Sequence, residues 1–536
     1  MERRWLGASE RAAPWVAGLL ITAPILIVRY PPMGDLAMHE ALVAIVIHRH
    51  DPTWAPPGLY EVVAPQANQL FHWLAVGIGA VASTRTACKL VVALSLFVTP
   101  PAAARLLRRL HLSPWLALLA CPIACGWMFR WGLVANLTGL AGLLLGLPSL
   151  EALARRPSSR ALAASLLAVP LLFFAHESAA LVFAIVAGAF ALVRGRSLGG
   201  VAVRIAPAAA FGVLAVVQWR IAAPLLGANM RSIGTYFGPD VGDRVAMLPG
   251  AVFGAIGAPR LWILGGLWGA ALVASVVARG GGRSAPLRVA IWRHRYAVLA
   301  MLFLFCFLVC PMAIGGATLV AYRFLPAAAV CLVAACAARA RSWPVVVLAA
   351  IAPVATVGVE ADDFRKADRS HRALDAVIAQ VPMDVAVAQL DLTPRPASRV
   401  APVPGAASRV QAERGGRMLF ALTDMPPNPV YVPAEYQWNE PVARMSAAPY
   451  ALMPDVDLRR FSYLLVRNDA PAMRPVVAEA LAPEADRIAA EGEWTLFRSR
   501  LPVAPLTSAD AALPAPAPEA LADRVNRLLA KRAPAP

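Results

Sequence analysis

The chain has 536 residues, of which 59% are apolar and only 15% charged, with a formal net charge of +18 and a mean hydropathy of +0.60. Soluble domains lie nearer half apolar and a quarter charged, so this balance excludes an ordinary soluble protein and commits most of the length to a bilayer. The positive charge does not point to nucleic acid, because the basic residues sit in short clusters between apolar segments, as cytoplasmic loops of membrane proteins do.

Arg3, Arg4 and Arg11 precede the first apolar run, and polar Tyr30-Pro31-Pro32 follows it without a small-residue cleavage site. That pattern reads as an uncleaved first span with the N-terminus in the cytoplasm. Apolar segments then run over 12–28, 70–83, 87–104, 115–128, 133–150, 161–175, 178–193, 201–219, 261–278, 297–315, 318–338 and 343–359. Arginine clusters fall between many of them: Arg105/Arg108/Arg109, Arg155/Arg156/Arg160, Arg194/Arg196, Arg279 to Arg295, and Arg339/Arg341. Placing every cluster inside requires 70–83 to be re-entrant or interfacial and leaves eleven crossings. The seven cysteines all lie in or beside apolar segments and read as small packing residues.

The fold expected is therefore a polytopic all-α membrane domain of about eleven transmembrane helices over 1–359, with a first outer loop at 29–69. A small extracytoplasmic α/β domain should follow over 360–500. Phe364 to Gln380 reads as helix, and Asp384 to Leu390, Val430 to Pro433, Ser462 to Arg467 and Trp494 to Arg498 read as strands. Pro402 to Gly416 reads as a loop, and Met473 to Ala490 as mostly helix. Residues 501–536 hold a Pro/Ala-rich linker and an amphipathic helix with Leu521, Val525, Leu528 and Leu529 on one face.

With the N-terminus inside, one set of polar residues falls on the outer face, and the odd number of crossings puts everything after residue 360 there too. Gly34-Asp35 opens an apolar helix and suits an N-cap, but a carboxylate at the membrane surface also suits a general base. His39 lies one helical turn on and shares the face of Asp35, with Glu40 beside it. His176-Glu177 forms a hairpin tip between two apolar segments. Arg130 and Arg323 border spans on the outer side, where a guanidinium either snorkels or meets a phosphate. The Gly315-Gly316 end and the loop from Arg220 to Arg260 should reach the same face. Asn136 and Thr138 are placed for interhelical hydrogen bonding. The acids and imidazoles are also ligand types for a divalent cation, a minority cofactor reading, because no metal-ligand spacing accompanies them. No Gly-rich phosphate loop and no HExxH, GxSxG or CxxC pattern occurs.

With these residues in view, the chain resembles the GT-C superfamily of polytopic membrane glycosyltransferases, in its poorly characterised bacterial branch. The resemblance rests on Pro-Pro-Met-Gly34-Asp35-x-x-x-His39 after the first span, Arg130-Trp131-Gly132 leading to Asn136-Leu-x-Gly139, the hairpin His176, and Tyr322-Arg323-Phe324 opening a late span. It implies an inner-membrane enzyme with Asp35 as catalytic base, a polyprenyl-phosphate-linked sugar as donor, and Arg323 near the donor phosphate. His39 and Glu40 would assist, and His176, Glu177, Arg130 and Asn136 would line the substrate site. The acceptor (glycan, lipid or protein) is not named by any motif. Two other readings stand beside it: a transporter or flippase of a lipid-linked intermediate, and a non-catalytic envelope-assembly protein.

Overall fold

The computed structural model describes residues 2–222, 234–254, 258–279, 287–314, 317–337, 342–393, 405–419, 421–424, 428–433, 436–438, 445, 448–506 and 519–532. The helical part comprises α1 (Glu2–Ile27), α2 (Leu36–His48), α3 (Leu70–Gly79), α4 (Thr84–Arg109), α5 (Ala120–Ala124), α6 (Trp127–Trp131), α7 (Val134–Arg155) and α8 (Ser159–Ala175). It continues through α9 (Glu177–Arg194), α10 (Leu198–Ala222), α11 (Val241–Phe253), α12 (Ala258–Arg279), α13 (Leu287–Arg293), α14 (Arg295–Val309), α15 (Leu325–Cys336) and α16 (Trp343–Ile378), with the short strands β2 (Ala313–Ile314) and β3 (Ala317–Thr318) between α14 and α15. Among the described residues, α1, α4, α7, α9, α10, α12 and α16 are long and apolar enough to cross a membrane. This is a multi-pass membrane protein. Val213, Val216 and Trp219 on α10, and Trp262, Val273 and Val277 on α12, remain exposed, an apolar surface of the kind lipid covers.

Three expected crossings, 161–175, 297–315 and 318–338, fold as the shorter apolar helices α8, α14 and α15. The segment 115–128 departs further from a single span. It breaks into a 3-10 turn (Pro114–Leu119), α5 and part of α6. Pro114, Pro122 and Gly126 interrupt it, since proline removes a helix donor. A side chain at Gly126 would collide with the Val252 carbonyl. The segment 70–83, expected to be re-entrant or interfacial, forms α3, whose ten residues reach only about 15 Å against a hydrocarbon layer of about 30 Å.

The bundle has two polar ends. At one end Glu151, fully buried, takes a two-pronged contact from Arg295 at 2.7 and 3.0 Å and a further one from Arg155, while Arg194 lies over Trp292. These residues belong to the arginine clusters; Arg339 and Arg341 lie outside the described residues. Helix α7 runs from there to Asn136 at the other end, its 22 residues covering about 33 Å.

Helix α16 is one continuous helix of 36 residues, about 54 Å long. The expected boundary at 359/360 falls inside it: the onset of charge marks departure from apolar surroundings, and the backbone continues. Its last turns enter the C-terminal domain, where β4 (Ala386–Asp391), α17 (Ser408–Arg414), β5 (Arg417–Met418), β7 (Tyr463–Arg467), α18 (Met473–Leu481), β8 (Ala485–Glu491) and β9 (Trp494–Ser499) build a sheet in the order β5-β4-β7-β9-β8. The pairs β4–β5 and β4–β7 are parallel; β7–β9 and β8–β9 are antiparallel. Leu374, Val377 and Ile378 of α16 cover one face. Val476, Val477 and Leu481 of α18, with Leu521 and Val525 of the terminal helix α19 (Leu521–Arg532), cover the other.

The expected helix 473–490 is half strand. Ala-rich 485–491 favours helix by propensity, but Gly492-Glu493, with Gly492 at φ +56°, closes a two-residue hairpin onto Trp494, and hairpin pairing wins. Within the expected loop 402–416, residues 402–404 lie outside the described residues and Ser408–Arg414 is helix. Most of the linker, 507–518, also lies outside them, as does Gly315-Gly316.

The domain sits directly on the first loop. Strand β1 (Glu61–Val62) of that loop pairs with β6 (Val430–Tyr431), and the Trp54 carbonyl accepts from the Gly416 amide at 2.7 Å. Gly405 lies so close to the Gly34 carbonyl and Met38 that a Cβ there would come within 2.8 Å.

Candidate functional site

The site begins at the junction between the first loop and the turn after α6. The amides of Gly34 and Asp35 donate to the carbonyls of Arg130 and Trp131 at 3.0 and 2.9 Å. Gly132 follows at φ +79°, a conformation open mainly to glycine. Its missing side chain is equally required, since a Cβ would lie 2.6 Å from the Asp35 nitrogen. The two stretches therefore meet through backbone.

Asp35 occupies the N-cap position of α2, yet its side chain makes no capping bond, nor any hydrogen bond or ion pair to another described residue. It is half-buried, and burial pushes its carboxyl up to about 7. A carboxylate so held costs desolvation energy and receives no compensating contact.

His39, though near the same face, turns to other partners. Its Nδ1 lies 2.9 Å from His72 Nε2 on α3. Both rings are buried, and burial holds His39 neutral with its pKa near 3. Glu40 departs from the expected cluster. It is buried and lies within electrostatic reach of Arg85, Lys89 and Arg409. The reason is helical geometry: five steps of 100° leave it about 140° around from Asp35.

A second group gathers at the hairpin tip. His176 caps the start of α9, its Nδ1 accepting from the Ser178 amide at 3.1 Å. Gly139 makes room for it, because a Cβ there would approach the His176 Cβ to 2.7 Å. The Glu177 amide donates to Asn68 Oδ1 of the first loop at 2.8 Å, and the Glu177 carboxylate pairs with Arg323 at 3.2 Å. The first loop, hairpin tip and late-span arginine are thus joined. Asn136 is buried near the start of α7, and Thr138 bonds Ser95 of α4 at 3.2 Å.

Arg130 is placed differently from expectation. Its fork is taken up by Glu360 and by Asp363 at 2.7 Å, with Arg260 on the same Asp363 at 3.0 Å. Through Nε and Nη2 it braces α16. The acids and imidazoles also fail to converge on a cation: among the described residues no three His, Cys, Asp or Glu side chains gather as a metal site. Reading the sequence missed His72 and Asn68. The available signal for His72 was a titratable ring inside the apolar run Leu70–Gly79.

No family model and no curated protein matches the chain. Among solved structures it is similar to the crystal structure of ArnT from Cupriavidus metallidurans in the apo state, at 13% identity and a TM-score of 0.44, over 92% of this chain and 98% of that one. It is also similar to ArnT from the same organism bound to undecaprenyl phosphate, at 13% identity and a TM-score of 0.42, over 90% and 96%.

Proposed function

We propose that this chain is a GT-C-type glycosyltransferase of the bacterial inner membrane that moves a sugar from a polyprenyl-phosphate donor to an extracytoplasmic acceptor, with Asp35 as general base. The observation that carries the reading is the Asp35 carboxylate itself: rigidly held by backbone bonds, half-buried, raised in pKa to about 7, and without a partner among the described residues. A structural carboxylate would be capped or paired. One kept unpaired near neutrality suits proton abstraction, since a base works best with its pKa near the working pH.

In this reading the acceptor hydroxyl gives its proton to Asp35 as its oxygen attacks C1 of the sugar. The C1–oxygen bond to the lipid phosphate breaks, and the polyprenyl phosphate leaves with the bonding electrons. Arg323, already at the hairpin tip with Glu177, is the cation that would take up the developing phosphate charge. Sidedness supports the arrangement: the arginine clusters of α7, α9 and α14 lie at the bundle end remote from Asp35, so a cytoplasmic N-terminus puts Asp35 and the C-terminal domain outside.

Asp35→Asn in purified protein, assayed for sugar transfer from polyprenyl-phosphate donors, tests the reading. Activity near that of the wild type would remove Asp35 as base.

A further inference from the structure

Two close approaches bracket the first turns of α7. Gly132, just before the helix, abuts the Asp35 nitrogen, and Gly139 abuts the His176 side chain. The stretch from Val134 to Gly139 rises about 8 Å. Beyond His176 comes Glu177, whose carboxylate holds Arg323 at 3.2 Å. The base thus stands at one end of this stretch and the late-span cation at the other.

Two polar side chains lie between those ends, and both are unpaired. Asn136 is 9% exposed and His176 only 3%. Asn136 precedes Gly139 by one turn, on the face that meets His176. Neither the Asn136 carboxamide nor His176 Nε2 has a hydrogen-bond partner among the described residues, and neither is sealed from accessible space. Buried polar groups are nearly always paired, so two such groups on neighbouring helices mark a site for the polar atoms of a ligand.

The tautomer of His176 follows from its other nitrogen. Nδ1 lies 3.1 Å from the Ser178 amide, which can only donate, and 2.6 Å from the Ser178 hydroxyl. A proton on Nδ1 would face that amide hydrogen. The ring is therefore neutral, with its proton on Nε2. His176 offers one uncharged donor, and Asn136 offers a donor and an acceptor. This set suits hydroxyls, which donate and accept, and lacks the charge that favours a phosphate.

We infer that Asn136 and His176 read hydroxyls of the transferred sugar. The inference rests on the transferase reading. When an acceptor oxygen that gives its proton to Asp35 displaces the phosphate near Arg323, entry and departure lie on opposite sides of C1. The sugar then sits between base and cation, where these two side chains stand. His176→Asn isolates the donor, because a carboxamide oxygen still caps α9 at the Ser178 amide while the Nε2 proton is gone. His176→Gln does the reverse: it keeps a donor nitrogen near Nε2 and gives up the cap.

The experiment uses the full chain in nanodiscs, with 15N-labelled histidine. Its probes are polyprenyl-phosphate pentoses and hexoses, their monodeoxy analogues, and polyprenyl phosphate alone. The His176 Nε2 signal, assigned by its absence in His176→Asn, should shift with a sugar-bearing probe and much less with polyprenyl phosphate. An equal shift with polyprenyl phosphate assigns the contact to phosphate and overturns the inference, as does no shift with any probe. In transfer, wild-type kcat/KM should fall about ten- to a hundredfold for one monodeoxy donor, the scale of one unmet buried hydrogen bond. His176→Asn should lose about that factor with the parent donor and nothing further with that analogue. His176→Gln should recover most of the loss, and Asn136→Ala should behave like His176→Asn toward a different hydroxyl. Wild-type discrimination kept by both His176→Asn and Asn136→Ala overturns the inference. Asp35→Asn separates the two ideas. Transfer that survives it, or no transfer by the wild type, removes the base or the transferase reading and leaves the sugar-dependent shift to decide the pair. Transfer lost in Asp35→Asn with discrimination intact in the other variants removes the pair alone.

Discussion

Two polar clusters lie within a few residues of each other at the C-terminal-domain end of the bundle, and they are built on opposite principles. Around Tyr30 every charge has a partner. The Tyr30 hydroxyl donates to Asp375 at 2.6 Å and its amide donates to Asp368 at 2.9 Å. Arg409, only 1% exposed, lies 3.9 Å over the ring and pairs with Asp375 and Glu413. Arg85 covers the ring at 4.4 Å and pairs with Glu413 as well. Five residues on, Asp35 has backbone support and no side-chain partner among the described residues. The first cluster fastens the C-terminal domain to the first loop. The second keeps a carboxylate available where the fastening has made the backbone rigid.

The contrast can be broken most sharply at Asp35. Asp35→Asn should leave the fold intact and lower transfer by about a hundred- to ten-thousandfold, the range for loss of a general base. The wild-type rate should fall as pH drops below about 7, where burial has placed the carboxyl, and that limb should vanish from whatever activity the variant keeps. A pH–rate profile of both proteins checks it.

Next comes the paired cluster around Tyr30. Arg409→Ala strips the shared cation from Tyr30, Asp375 and Glu413 and should destabilise the chain by about 3 kcal/mol, the lower end for breaking a buried pair, because both carboxylates retain some solvent. Guanidinium unfolding in detergent measures it. An Arg409→Ala protein as stable as the wild type would show that the junction does not fasten the domain.

How much of this was legible in the sequence depends on the kind of signal involved. Apolar runs and arginine clusters mark the helices and the two ends of the bundle, because burial in lipid forces both patterns. The stretches around Asp35 and Arg130 are also visible as local motifs. That they meet is invisible, since backbone amides, carbonyls and a glycine make the contact. Glu40 looked like a neighbour of Asp35 and belongs with Arg85 and Arg409, a matter of angle around a helix. Arg130 looked like a free guanidinium because Glu360 and Asp363, its partners, lie 230 residues and more away. Strand β8 was hidden by its alanines, with Gly492 as the overlooked turn signal. Helix α16 was cut in two because composition changes at Glu360 while the backbone does not.

A smaller effect sharpens the comparison at Gly132. Gly132→Ala places a Cβ at positive φ and within 2.6 Å of the Asp35 nitrogen. Left-handed strain costs about 1–2 kcal/mol, and relieving the overlap must move the Asp35 turn. The melting temperature should drop modestly while transfer falls by more than that loss of stability explains. Loss of both in proportion would mean that Gly132 serves folding only.

The smallest effect separates the clusters by sign. Asp35 has a folded-state pKa raised to about 7 from its ordinary value of 3.8, so the folded chain holds its proton more tightly than the unfolded one. Its contribution to stability is full below about pH 4 and is lost as pH rises through about 7. Asp375 is the opposite case: Arg409 and Tyr30 hold its carboxyl below the usual range against the penalty of burial, so its contribution is present above the unfolded value and is lost as pH falls through the lowered one. Between pH 5 and 8 only the Asp35 effect should move. Asp35→Asn should therefore be more stable than wild type at pH 8, with the gap closing toward pH 5, and Asp375→Asn should be less stable by an amount that stays flat over the same window. Equal slopes for the two variants would mean that Asp35 is paired after all, and would take away the feature that distinguishes it from the residues around Tyr30.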